Sequence, residues 1–110
     1  MTQGSQLQRL VEVMDQLRSP GGCPWDAEQT HESLLKYLLE ESYEFVDAVA
    51  AGNRIDMREE LGDVLLQVYF HARMAEDHPT DPFSIEEVAQ GIADKLIRRH
   101  PHVFAGVEVK

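Results

Sequence analysis

Apolar residues recur every three or four positions in four separate stretches of this chain. From about Ser5 to Arg18, Leu7, Leu10, Val11, Met14 and Leu17 fall at helical spacing. The segment "SPGGCPWD" breaks that pattern, because its prolines and glycines do not continue a helix. Helical spacing resumes after Asp26 or Thr30, either of which suits an N-cap, and runs to about Ala51, where "AGN" stops it. A third helix is expected from about Ile55 to Glu76, with "DHPTDP" as the loop that follows. Ser84 and Glu87 then form an S-x-x-E capping box. The fourth helix carries Ile85, Val88, Ala89, Ile92, Ala93 and Leu96 on one face and ends near "RRHP". No stretch alternates with period two, so no substantial sheet is expected. The pattern predicts an all-α fold, a bundle of about four helices with two long central ones.

The polar positions sharpen this picture. With Leu34 at zero on a wheel of about 100° per residue, Leu34, Leu35, Leu38, Leu39, Phe45, Val46 and Val49 fill an arc of about 0 to 140°. Glu40, Glu41, Glu44 and Asp47 fall between about 220° and 340° on the same wheel, with Glu41 beside the apolar arc and Glu44 next. Glu41 and Glu44 are helical neighbours whose charges repel. The third helix has two apolar stripes: Met57, Leu61, Val64, Leu65, Val68 and Ala72 on one side, and Leu66, Phe70 and Met74 on the other. A polar stripe of Glu60, Asp63, Gln67 and His71 runs between them. A helix apolar on two sides is packed on two sides, so Glu60 and Asp63 are expected to be partly enclosed. Enclosed carboxylates are costly unless paired, protonated or bound to a cation. Arg54 and Arg58 near the start of the third helix, and Lys95, Arg98 and Arg99 at the end of the fourth, are expected to neutralise only some of this charge. All-oxygen donors suit a hard divalent cation, Mg²⁺ or Mn²⁺. The alternative at this point is a pair of solvated acidic faces.

Composition adds limits. The 110 residues suit one domain, 1–110, with a small core, so a homodimer is expected, with a tetramer as the alternative. A net charge of -10, from 20 acidic and 10 basic residues, argues against nucleic acid and anionic membrane surfaces as partners. The single cysteine, Cys23, has no intramolecular partner for a disulfide, which fits a reducing cytoplasm. There is no apolar run of membrane-spanning length, and "MTQGSQLQRL" does not resemble a signal peptide.

Four stretches in order, "GGCPWDAEQT", "EESYE", "REELGDVLLQVYFHA" and "DKLIRRHPHVF", resemble the MazG-type nucleoside triphosphate pyrophosphohydrolases over nearly the whole chain. The acidic core of that resemblance is EExxE followed by ExxD. It implies an all-α fold and Mg²⁺-dependent hydrolysis of nucleoside triphosphates to the monophosphate and pyrophosphate. It further implies Glu41, Glu44, Glu60 and Asp63 as metal ligands, and Glu40 as the residue that positions or deprotonates the attacking water. Lys95, Arg98 and Arg99 then face the phosphates. Trp25 either stacks on a nucleobase or anchors its loop on the core. Many such proteins carry a second domain or a further helix beyond "HPHVF"; a single-domain form and an excised N-terminal domain both fit a chain that stops at "AGVEVK".

Two other readings compete. One is a catalytically weak or inactive acidic helical module for oligomerisation or partner binding. The other, a di-iron bundle, wants two Glu-x-x-His motifs, and only Glu28 to His31 fits. His71 is expected to be a packed, hydrogen-bonded histidine, and His100 and His102 a structural turn.

Overall fold

The computed structural model describes residues 4–106; residues 1–3, on which the leader argument partly rests, and 107–110 lie outside the described residues. The order of elements is α1 (Gln6–Arg18), α2 (Pro24–Glu28), α3 (His31–Ala51), α4 (Arg54–Ala75), α5 (Ile85–Arg99) and α6 (Pro101–Phe104). The four helices expected from the spacing are present, and two single-turn helices join them. Proline at the first position starts both short helices, α2 and α6. The break at "SPGGCPWD" and the end at "RRHP" therefore each hold one more turn of helix than the spacing indicated.

α3 and α4 form an antiparallel hairpin, the most extensive contact in the fold. Thr30 opens α3: its hydroxyl accepts from the Ser33 amide at 3.1 Å, while Ser33 Oγ accepts from the Thr30 amide at 2.9 Å. Asp26, the other expected cap, lies inside α2. Gly52 closes α3 in the left-handed region at φ 67°, and the Asn53 side chain accepts from the Asp56 amide to open α4. Two residues thus reverse the chain.

α1 packs across α4, and the core forms where they meet α3: Met14, Leu34, Phe70 and Met74, flanked by Leu10, Tyr37, Leu66 and Tyr69. The second apolar stripe of α4 is therefore core packing. The first stripe is only half covered: Ala72 is buried, but Leu61 remains 51% exposed. α5 packs on α4 yet leaves Val88, Ile92 and Leu96 exposed. The loop after α1 is held tightly. Gly22 passes so close to the end of α1 that an added Cβ would stand 2.2 Å from the Gln16 carbonyl oxygen. Arg18 donates to the Asp26 carbonyl at 2.7 Å and to that of Gln29 at 3.3 Å, which clamps α2 onto α1.

Candidate metal centre and adjoining cavity

The tight turn at Gly52 and Asn53 sets which residues of α3 and α4 face each other. Glu44 lies eight residues before Gly52, and Glu60 seven after Asn53; Glu41 lies eleven before, and Asp63 ten after. Continuing with the same offset pairs Tyr37 with Gln67 and Leu34 with Phe70. Each rung is three or four residues from the next, or about 5–6 Å along a helix. Two acidic rungs therefore sit beside a polar rung and then an apolar one.

One ligand oxygen from each of Glu41, Glu44, Glu60 and Asp63 lies within 4.8 Å of the others. Glu41 and Glu60 are half-buried, whereas Glu44 and Asp63 are exposed. The expected enclosure of Asp63 is thus not found, because α4 is packed on one side only at this level. Burial along α3 also departs from the expected apolar arc. The residues of α3 that are buried or half-buried include Leu34, Tyr37, Leu38, Glu41, Phe45 and Ala48, so Glu41 sits inside the covered face rather than at its edge. Leu35, Leu39, Val46 and Val49, four of the seven residues of the apolar arc, are exposed.

Burial first, then the charges of Asp63 and Glu44, a hydrogen bond with Glu44 and the charge of Glu40 raise the pKa of Glu41. Glu60 is pushed up to about 7, by desolvation first, then a hydrogen bond to Glu44 and the charges of Glu44, Asp63 and Glu41. Among the described residues no basic group offsets these shifts. Each hydrogen bond exists only while Glu41 or Glu60 holds a proton to donate to Glu44. When ionised, the buried Oε2 atoms of Glu41 and Glu60 have no donor among the described residues. Four acceptor-only groups with two orphaned buried oxygens fit a hard divalent cation, which would satisfy all of them at once.

Glu40 is exposed beside this quartet and contributes its charge to Glu41. Lys95 is half-buried and Arg98 and Arg99 are exposed on α5; none forms an ion pair with the quartet among the described residues. Asp47 is exposed and stands outside the cluster. Trp25 is 49% exposed, with its ring edge-to-face on Tyr37 at 6.0 Å between centroids. Loop anchoring and an open aromatic face therefore coexist.

A cavity of about 250 Å³ adjoins the quartet, with Glu41 in its wall. Trp25, Asp26, Tyr37 and Gln67 supply its other polar or aromatic lining, and Leu34 and Phe70 are among its apolar residues. Gln67 was legible as part of a polar stripe, but its place in a cavity was not. The signal was its four-residue spacing from Asp63 between two apolar stripes. Beyond the cavity, His31 and His71 face each other with 2.7 Å between Nδ1 atoms. The pKa of His71 is lowered by burial, then by His31, against the charge of Glu32. His100 Nδ1 lies 2.7 Å from the Leu96 carbonyl at the end of α5, a capping contact.

A family model described as the MazG nucleotide pyrophosphohydrolase domain matches residues 29–104. A nucleoside triphosphate pyrophosphohydrolase of Mycolicibacterium smegmatis is 57% identical over 106 residues, covering 96% of this chain and 32% of that protein. The nucleoside triphosphate pyrophosphohydrolase/pyrophosphatase MazG of Thermotoga maritima is 54% identical over 101 residues, covering 92% of this chain and 39% of that one. The chain therefore spans well under half the length of these curated relatives. The crystal structure of a mazG-related protein from Thermotoga maritima superposes with a TM-score of 0.73 at 30% identity, covering 94% of this chain and 87% of that one.

Proposed function

The chain belongs to the MazG nucleotide pyrophosphohydrolase domain family, and from that premise we propose that it hydrolyses nucleoside triphosphates to the monophosphate and pyrophosphate. The observation that carries this reading is the convergence of Glu41, Glu44, Glu60 and Asp63 within 4.8 Å beside a cavity walled by Glu41 and Trp25. A protein of net charge -10 cannot meet a polyanionic substrate without cations between them. Mg²⁺ held by the four carboxylates, or Mn²⁺ in its place, would neutralise that charge, acidify water and polarise the phosphoryl group.

The chain's own groups take the remaining roles. Water attacks the α-phosphorus, the bond to the β-bridging oxygen breaks, and pyrophosphate departs with the bonding pair. Glu40, exposed beside the quartet, orients the water and receives its proton. Lys95, Arg98 and Arg99 bind the departing pyrophosphate. Trp25 stacks on the nucleobase with its open face. In this reading residues 1–110 act as one domain in the cytoplasm, removing noncanonical nucleotides. A homodimer, with a tetramer as the alternative, covers the exposed apolar faces of α3 and α5 and brings the basic end of α5 toward an acidic quartet.

The test is release of pyrophosphate from a panel of canonical and altered nucleoside triphosphates, with and without Mg²⁺. Glu41→Gln and Asp63→Asn are expected to lose activity by about 10²-fold or more while retaining helical content. Orthophosphate as the primary product would refute the proposed bond cleavage. Mg²⁺ that neither binds nor raises the melting temperature would favour a non-catalytic acidic module.

A further inference from the structure

Among the described residues, Gln67 is the one buried polar residue, at 6% exposure, and its Oε1 has no hydrogen-bond partner there. A buried amide oxygen left unpaired is costly, and beside a cavity such a group calls for a donor from outside the protein. Gln67 lines the same cavity as Trp25, Tyr37 and Glu41. A turn about its soft terminal torsion would be needed to present that oxygen to a donor in the cavity.

The hairpin register says which part of a ligand meets it. Gln67 stands one turn of α4 beyond Asp63, about 6 Å along the axis. Leu34 and Phe70 close the cavity one rung deeper with purely apolar surface. In a nucleotide whose phosphates are held at the acidic rungs, the group one turn away is the sugar, joined to the phosphate through a single methylene. The sugar presents hydroxyl donors; the base lies further on, against apolar and aromatic lining.

We propose that Gln67 reads the sugar of the bound nucleotide, its amide oxygen accepting a hydrogen bond from a ribose hydroxyl. The inference rests on the reading of the quartet as the phosphate end of a nucleotide site. Gln67 then sets selectivity between sugars: a nucleotide lacking that hydroxyl leaves the buried oxygen unpaired, a loss of roughly tenfold or more in affinity.

The experiment compares binding of one base in three sugars, as the ribo-, 2′-deoxy- and 3′-deoxynucleoside α,β-methylene triphosphates. Binding is measured by calorimetry with Mg²⁺ on wild type and on Gln67→Met, an apolar change of similar volume. Wild type should bind one of the two deoxy forms about tenfold or more weakly than the ribo form, and Gln67→Met should erase that difference. Gln67→Met without nucleotide should melt at or above the wild-type temperature, because an orphaned polar group has been removed. Equal binding of all three sugars by wild type, a preference that survives in Gln67→Met, or equal weakening of all three would overturn the proposal. So would a lower melting temperature, which would place the amide's partner inside the free protein. Hydrolysable triphosphates assayed in parallel separate the two claims. Sugar-dependent binding without pyrophosphate release would defeat the hydrolase reading alone, and release without sugar dependence would defeat the role of Gln67 alone.

Discussion

At the residue scale, crowding and burial raise the pKa of Glu41 and Glu60 within the quartet. Glu60 titrates near 7 when folded, against an ordinary value of 4.5. The folded state therefore binds more protons than the unfolded state between those values. This contribution is present in full below the ordinary value and is lost as pH rises through 7. The metal-free chain should gain melting temperature on going from pH 8 to pH 5.5 relative to Glu60→Gln, in which the group cannot ionise. Mg²⁺ should reverse the trend, because its binding displaces the protons shared with Glu44. Calorimetry in two buffers of different ionisation enthalpy should show proton release on Mg²⁺ binding near pH 6.5. Parallel melting curves for wild type and Glu60→Gln across this range would defeat the prediction. The acids were legible one by one in the sequence, as EExxE and ExxD. Which of them lose their solvent was not, since Glu60 and Asp63 look alike on a helical wheel and differ only through what packs nearby.

At the element scale, the site depends on two devices. The first is the Gly52–Asn53 turn, which pairs Glu44 with Glu60 and Glu41 with Asp63. The stop at "AGN" was readable because glycine alone enters the left-handed region at little cost. The second is the loop that carries Trp25, fixed by the close passage of Gly22 over the end of α1 and by the Arg18 clamp. The clash of a Gly22 side chain is with backbone carbonyls, which cannot swing aside. Gly22→Ala should cost about 1–3 kcal/mol in denaturant unfolding and shift the emission of the single tryptophan. An unchanged unfolding midpoint would show that the loop can move away. The sequence marked this loop as a break, yet the helical turn inside it depends on Arg18 reaching across from α1, a contact that no local pattern encodes.

At the scale of the whole molecule, the chain is too open for its length. Its radius of gyration is 17.2 Å, against about 13 Å for a globular domain near this size. Leu39 is 61% exposed on α3, and Ile92 is 50% exposed on α5, each within a row of exposed apolar neighbours. Rows of this kind on helices of an otherwise charged chain call for a covering surface. Light scattering is expected to give twice the monomer mass, with a melting temperature that rises with concentration. Leu39→Glu should lower both; a monomer whose melting is independent of concentration would exclude the dimer. The periodicity of the sequence determined the all-α class, the four principal helices and the stripe on which each acid lies, because those follow from spacing along one helix and from local caps. Tertiary structure alone decided which half of each apolar arc is covered, that Glu41 and Glu60 have buried oxygens without donors, and that Gln67 reaches the cavity beside them. Those properties belong to pairs of helices, and the register between α3 and α4 comes into being only when the turn closes.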